Sequence, residues 1–282
     1  MFENLVVPVD LSWASIDAVA VAARMAGQVG GRVEAITVVD RLADVPLARA
    51  DLAYGIERLG PQPVEVLQLV HASQSVTGAI TRHVEHNAGS MVLMSSHGHG
   101  RSAGVLGSTV DELLRAMFGP VIVVGPHAAE CSGALGGTYV VPLDGSSRAD
   151  GVIPIVAAWA TEFKGTPWLV EVIDDAVYPS ERDIIESSYV SVRAGDLRRR
   201  IARDVQFEVL HGRHTGDSIV DFAEGQDASL IFMATHGRTG LERLTAGSVA
   251  ADVIRHARVP VVLFRPPDVR QANRVGVLAA AR

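Results

Sequence analysis

Short apolar runs alternate along the chain with longer stretches whose apolar residues recur at helical spacing, and the whole order is traversed twice. The first run, Asn-Leu-Val-Val-Pro-Val-Asp at 4–10, has no polar face, as expected of a parallel strand covered on both sides. Ser12 is placed to cap a helix whose apolar side is Ala14, Ile16, 18–23 and Met25, and Gly27, Gly30 and Gly31 are placed to stop it. Further strands are expected at 33–39, 63–70, 91–95 and 121–124, with a short helix within 42–60 and helices at 75–87 and 111–117.

After a small, polar, glycine-rich segment the order restarts. Strands are expected at 139–144, 167–173, 205–210, 230–234 and 260–264, and helices after Ser147 as cap, with Asp150 three residues on completing a capping box, at 181–203, at 218–224 and at 250–256. Asp144 stands 134 residues after Asp10 and Pro260 stands 140 after Pro120, so the second round is longer, chiefly around 181–203. A period this long marks a duplicated domain. Strands alternating with helices imply an α/β fold of two tandem, doubly wound, Rossmann-like domains, each with a five-stranded parallel sheet. The boundaries expected are 1–128, a linker at 129–137, 138–267 and a flexible tail at 268–282. The short apolar final strands at 121–124 and 261–264 are expected at sheet edges, and open edges pair. They would join the two domains into an intrachain pseudo-dimer, with a further homodimer as an extension.

Composition narrows the class. Hydrophobic residues make up 48% and charged residues 20%, so a globular, buried core is expected for the 282-residue chain. A net charge of −7 argues against a nonspecific hold on nucleic acid. Met1-Phe2-Glu3-Asn4 lacks the basic head and apolar body of a secretory leader, and no apolar run approaches the roughly 20 residues of a membrane span. The single cysteine, Cys131, excludes an internal disulfide and fits a reducing, cytoplasmic setting. Lys164 is the only lysine, and no glycine-rich loop precedes it, which excludes a Walker-type phosphate loop.

The chemistry is expected where each strand of the fourth pair ends. Ala234-Thr235-His236-Gly237 follows an apolar strand and leads through nine residues to Gly247-Ser248, where a helix opens. Ser95-Ser96-His97-Gly98 leads through eight residues to Gly107-Ser108-Thr109 in the same way. Glycines there are expected to turn the backbone with positive φ and to let a ligand reach bare amides. The helix start adds unpaired N–H groups and a positive dipole end, which suits a phosphate. Asp10, Val38, Ser95 and Gly98, like Asp144, Val172, Ala234 and Gly237, fall at strand carboxyl ends, where such sheets bind ligands.

These residues resemble the universal stress protein family in its tandem form. Its nucleotide-binding members carry Gly-x-x-Gly, nine residues, then Gly-Ser or Gly-Thr. The second loop departs only by Ala234 at the first glycine, whereas the first has Ser95 there and is one residue short. The resemblance spans residues 2–266. It implies ATP, or else ADP or AMP, in each domain, with Mg2+ accompanying ATP. Pro8, Val9, Asp10, Val38, Met94 and Ser95 would line the adenosine end in the first domain, with Gly98, Gly107, Ser108 and Thr109 around the phosphates. Pro142, Leu143, Asp144, Val172, Met233 and Ala234 would do so in the second, with Gly237, Gly247, Ser248 and Val249 at the phosphates. A stress-response regulatory role with an unidentified protein partner follows. The alternatives are a slow ATPase or nucleotidyl-transfer enzyme on the same scaffold and an assembly protein with empty loops.

Other features carry plainer expectations. His97 and His236 are expected to be structural, and no metal is expected at His83, His86, His97 and His99. Trp13, Trp159 and Trp168 are read as packing residues, 198–200 as a solvated basic face and Cys131 as inert.

Overall fold

The computed structural model describes residues 2–98, 107–117, 119–173, 179–235 and 247–266, with the backbone alone at 179–187. The tail expected at 268–282 lies outside these residues. The first half runs β1 (Asn4–Pro8), α1 (Trp13–Gly27), β2 (Arg32–Val39), a 3-10 turn (Leu42–Asp44), α2 (Val45–Arg58), β3 (Val66–Ala72), α3 (Val76–His86), β4 (Ser90–Ser95), α4 (Ser108–Ala116) and β5 (Val121–Val124). The second half runs β6 (Thr138–Pro142), α5 (Ser147–Asp150), α6 (Ile153–Phe163), β7 (Thr166–Ile173), α7 (Pro179–Ile201), β8 (Gln206–His211), α8 (Thr215–Gly225), β9 (Ala228–Ala234), α9 (Ser248–His256) and β10 (Val261–Phe264).

Local chemistry accounts for most of these boundaries. Every residue of β1 is buried, as its unbroken apolar run requires. Ser12 caps α1 and Ser75 caps α3, each by accepting a backbone N–H three residues on. Four expectations are corrected. The stretch 42–60 holds a 14-residue helix instead of a short one, with Pro46 in its first turn. β3 starts at Val66, later than expected, and continues to Ala72. Ser146, and not Ser147, caps the helix after β6, and this helix stops after one turn before Pro154 opens α6. Asp150 does not complete a capping box, because its carboxylate receives the Tyr189 hydroxyl at 2.6 Å and the Arg193 guanidinium at 2.8 Å.

All the strands form one sheet in the order β3-β2-β1-β4-β5-β10-β9-β6-β7-β8. Pairing is parallel within each half, giving the doubly wound α/β arrangement. At the centre β5 and β10 pair antiparallel, with Val123, Ile122 and Val121 opposite Val261, Val262 and Leu263. The final strands thus join the halves, as their open edges suggested. Because that one pairing is antiparallel, the strands of the two halves run in opposite directions and their carboxyl ends lie on opposite sides of the sheet.

Apolar layers cover both faces and cross the junction. On one face Phe2, α1, α6 and α7 share a core, with the Trp159 ring 6.0 Å from Phe2 and 5.4 Å from Phe232. On the other face Ile80, Leu113, Ile219 and Val253 from α3, α4, α8 and α9 lie in a second continuous core. The segment 126–137 between the halves is bound down onto α1. Arg24 donates to the Ala129 carbonyl (2.6 Å), Gln28 donates to the Gly133 carbonyl (2.7 Å) and accepts from the Leu135 N–H (2.9 Å), and Leu135 is fully buried. Trp13 departs from the packing role expected of it: it is 59% exposed, with the Arg58 guanidinium 4.4 Å above its ring. No helix among the described residues is long and apolar enough to cross a membrane.

The junction has one tight point. A Cβ added to Gly125, just past β5, would overlap the Ile254 carbonyl of the other half, and that backbone cannot swing aside. Gly125→Ala is expected to lower stability by about 1–3 kcal/mol in urea titration. Gly119→Ala, where a Cβ meets nothing within 4 Å, is expected to be close to neutral. Equal effects of the two substitutions would mean that the junction tolerates expansion.

Candidate functional site

The site begins with a turn that both halves build alike. Where β1 ends, the Val9 N–H donates to the Ile36 carbonyl (2.8 Å) and the Thr37 hydroxyl donates to the Val9 carbonyl (3.0 Å). Asp10 Oδ1 then accepts the Ser12 N–H (3.0 Å) and the Ser12 hydroxyl (2.6 Å), while Ser12 Oγ in turn accepts the Ser15 N–H that opens α1. Asp144 Oδ1 accepts from the Ser146 N–H (3.0 Å) and hydroxyl (2.6 Å), and Ser146 Oγ accepts from Ala149 N–H. The residue between aspartate and serine must adopt a left-handed conformation. It is Gly145 at φ 78° in the second half and Leu11 at φ 66° in the first, a strained conformation for a leucine. This Asp-x-Ser turn fixes the aspartate carboxylate at the strand end, and in the first half that carboxylate stands at the cavity wall.

The opposite wall is a neck at the end of β4. The Ser96 N–H donates to Val124 O and the Gly107 N–H donates back to Ser96 O, both at 2.9 Å. Thr235 N–H to Phe264 O (2.9 Å) and Gly247 N–H to Thr235 O (2.8 Å) repeat this in the second half. These bonds hold the start of α4 and α9 against the strand ends; residues 99–106 and 236–246 complete the two signature loops in sequence. Those loops, with Gly237, His236, His99, Arg101, Arg238, Thr239 and Glu242, lie outside the described residues.

The glycines at the neck act differently from expectation. Gly107 has φ −61° and Gly247 φ −56°, and Gly98 has no positive φ either. Their role is close approach: a Cβ on Gly98 would collide with the Asp10 carboxylate, and one on Gly247 would sit 3.3 Å from the Thr235 carbonyl. Neither Gly107 nor Gly247 offers a side chain to cap its helix. Ser95, at the place of the signature's first glycine, turns its hydroxyl onto the His97 carbonyl (2.9 Å), and His97 Nδ1 lies 3.0 Å from Ser96 Oγ.

Turn and neck enclose a cavity of about 240 Å³. Every first-half residue singled out from the sequence lines it: Pro8, Val9, Asp10, Val38, Met94, Ser95, Gly98, Gly107, Ser108 and Thr109. Ser15, Ile36, Val76, Ser96, His97 and Val110 line it as well and were not foreseen. Ser96 and His97 lie inside the loop signature and were within reach, whereas Val76 depends on how α3 crosses the sheet. One end of the cavity is apolar (Ile36, Val38, Met94, Val76); the other has hydroxyls and the opening of α4. In the second half Pro142, Leu143 and Asp144 follow β6, Val172 is in β7, Met233 and Ala234 end β9, and Gly247, Ser248 and Val249 open α9. They occupy the corresponding strand-end positions.

Two of the four histidines weighed as metal ligands have other partners, and His99 lies outside the described residues. His83 points into the core at Glu34 and His86 bonds the Arg82 carbonyl. Among the described residues Asp217, Asp252 and His256 bring ligand atoms within 4.8 Å of one another, but Arg255 already approaches the Asp252 carboxylate at 3.3 Å.

The architecture defines a class: a duplicated, doubly wound α/β protein with a ligand-sized cleft at strand carboxyl ends, bounded by a capless helix start. Comparison with known proteins makes the assignment specific. The Universal stress protein family profile matches residues 1–125 and 138–265, and the chain belongs to that family. It is 30% identical over 139 residues to a universal stress protein of Methanocaldococcus jannaschii, covering 45% of this chain and 81% of that one. A universal stress protein of Archaeoglobus fulgidus shares the fold at a TM-score of 0.63 and 17% identity, over 93% of this chain and 98% of that one. A functionally unknown protein of Pseudomonas aeruginosa does so at 0.59 and 15% identity, over 100% and 98%.

The turn generates a prediction of its own. Gly145→Ala places a Cβ on a residue held at φ 78°, and is expected to cost about 1–2 kcal/mol of stability by chemical denaturation. An unchanged midpoint would mean that the Asp144 turn can relax without loss.

Proposed function

We propose that the protein binds one adenine nucleotide in each half and acts as a stress-responsive regulator through occupancy of those sites. The observation that carries this reading is the shared cavity: the uncapped start of α4 and the apolar strand-end wall of Ile36 and Val38 open into the same space. The purine would lie against that wall and Met94, the sugar toward Asp10, and the phosphates against the backbone of Gly107, Ser108 and Thr109. Bare amides and the helix dipole favour an anion there. In the second half Asp144, Val172, Ala234, Gly247, Ser248 and Val249 would take the same parts, with Gly237 in the loop. ATP is the nucleotide we assign, with ADP and AMP as shorter occupants and Mg2+ accompanying the triphosphate. α4 carries Asp111 in its first turn whereas α9 carries no acid there, so the second site should hold a polyanion at least as tightly.

Substituting the neck glycines tests the assignment. Gly107→Asp and Gly247→Asp each set a carboxylate beside the proposed phosphate, at a cost of about 4 kcal/mol for like charges some 4 Å apart near a protein surface. Calorimetric titration with ATP should give two sites for the unaltered chain and one for each variant. Full stoichiometry in both variants would sink the assignment, as would the absence of nucleotide binding by the unaltered chain.

Regulation through occupancy also implies slow chemistry. Backbone amides hold substrate and transition state about equally, and uniform binding leaves the chemical barrier where it was. Single-turnover assays with γ-labelled ATP are expected to show less than roughly one hydrolysis per minute, against typical enzymatic rates of about 1–1,000 per second. Turnover of several per second that Gly247→Asp abolished would identify an enzyme instead.

A further inference from the structure

The two halves differ in chemistry beneath the first pocket. Glu34, Ile36 and Val38 share one face of β2, and the last two line the cavity. Glu34 lies below them, 5% exposed, with its Oε2 at 2.5 Å from His83 Nε2 of α3. His71 of β3, paired in register with Val38, brings its ring to 5.7 Å from that of His83. Its Nε2 is shut off from water and has no hydrogen-bond partner.

In the second half the same register positions are apolar. Strand pairing sets Ile36 opposite Pro8 and Val170 opposite Pro142, so Trp168 occupies the place of Glu34. Leu210, paired with Val172, occupies the place of His71. Phe222 of α8 meets Trp168 at 5.4 Å, as His83 meets Glu34. One fold thus carries a titrating cluster in one half and an aromatic pair with a leucine in the other.

We propose that the Glu34–His83–His71 cluster is an acid-sensitive latch between α3 and β2, whose protonation loosens α3 in the first half alone. The latch bears on the pocket because α3 begins at Val76, a lining residue, and β2 contributes Ile36 and Val38. The charged and titrating groups facing it are Arg32 on β2, 3.5 Å from Glu34, together with His71 and His83, while Asn4 and Ser90 from β1 and β4 are neutral. Arg32 and Asn4, the cluster's neighbours on β2 and β1, also line a separate cleft of about 650 Å³ with Glu3, Glu65, His86 and Ser90.

The direction of the pH effect follows from the surroundings. Burial, then the neighbouring His83, holds His71 below its ordinary 6.5. Burial pushes the Glu34 carboxyl up, but hydrogen bonds from His83 and Asn4 and the charges of His83 and Arg32 outweigh it, leaving Glu34 below its ordinary 4.5. Both folded values lie below the unfolded ones. The stability linked to His71 is therefore complete above about pH 6.5 and is lost as pH falls through its lower folded value; Glu34 adds a second loss below about 4.5.

Hydrogen exchange of the full chain, corrected for intrinsic rates, tests this at about pH 7.5 and about pH 5.5. Protection of α3 is expected to fall roughly tenfold per unit of depression sampled, with α8 unchanged. His71→Leu, which installs the second half's residue, should abolish the fall, and His71→Gln, polar but not titrating, should do the same if the leucine variant does not fold. Equal losses in α3 and α8, or a fall that persists in both His71 variants, would overturn the latch. The readout needs no ligand, so it stands or falls separately from the nucleotide reading.

Discussion

The antiparallel pairing of β5 with β10 is the contact on which the architecture depends. Each strand is only four residues long, and each would otherwise be a bare edge of buried apolar residues. Pairing them turns two half-sheets into one and lets the helices of both halves share a core on each face. The cost of the segment between the halves is reduced because it packs onto α1 through Arg24 and Gln28. Reversal of strand direction at the junction also sends the two sites to opposite sides. All residues lining the described cavity accordingly come from the first half.

Within a half, the site is a consequence of how parallel strands end. A strand that stops must release its chain into a helix, and here it does so through an aspartate that holds the next turn. The bonds from Ser12 and Ser146 to one carboxylate oxygen hold each aspartate in place at its strand end. The neck bonds at Gly107 and Gly247 do the same for the helix starts, which reach the cleft without a side-chain cap. Placement on strand ends and helix starts positions these groups more precisely than a loop would.

Duplication then let the halves diverge in the layer under the pocket while the frame stayed the same. Trp168 against Phe222 and Glu34 against His83 fill equivalent space between a strand and a helix. A buried histidine–carboxylate contact adds little net stability over an apolar pair of similar size, because desolvation offsets its attraction. What it adds is a response to protons, confined to the half that contains it.

Much of this was legible in the sequence, because the informative patterns are local. Unbroken apolar runs at 4–8 and 121–124 identify strands buried on both faces, and the repeat at 134–140 residues identifies the duplication. Strand ends follow directly, so ten of the residues lining the first cavity could be named in advance, while Ser15, Ile36, Val76, Ser96, His97 and Val110 were not foreseen. Edge strands with nothing to cover them pointed to the joining of the halves. Their antiparallel sense depended on the closure of two cores and became visible only in the sheet. The left-handed Leu11, the close approach of Gly98 to Asp10, and the placement of Val76 in the cavity wall likewise depend on neighbours distant along the chain. The Glu34–His83 pair lies 49 residues apart, and periodicity reads each member merely as a polar residue near an apolar stripe. Local pattern selects the element and the face it buries, whereas the side chain met across that face is set by the docking of elements, which sequence spacing does not encode.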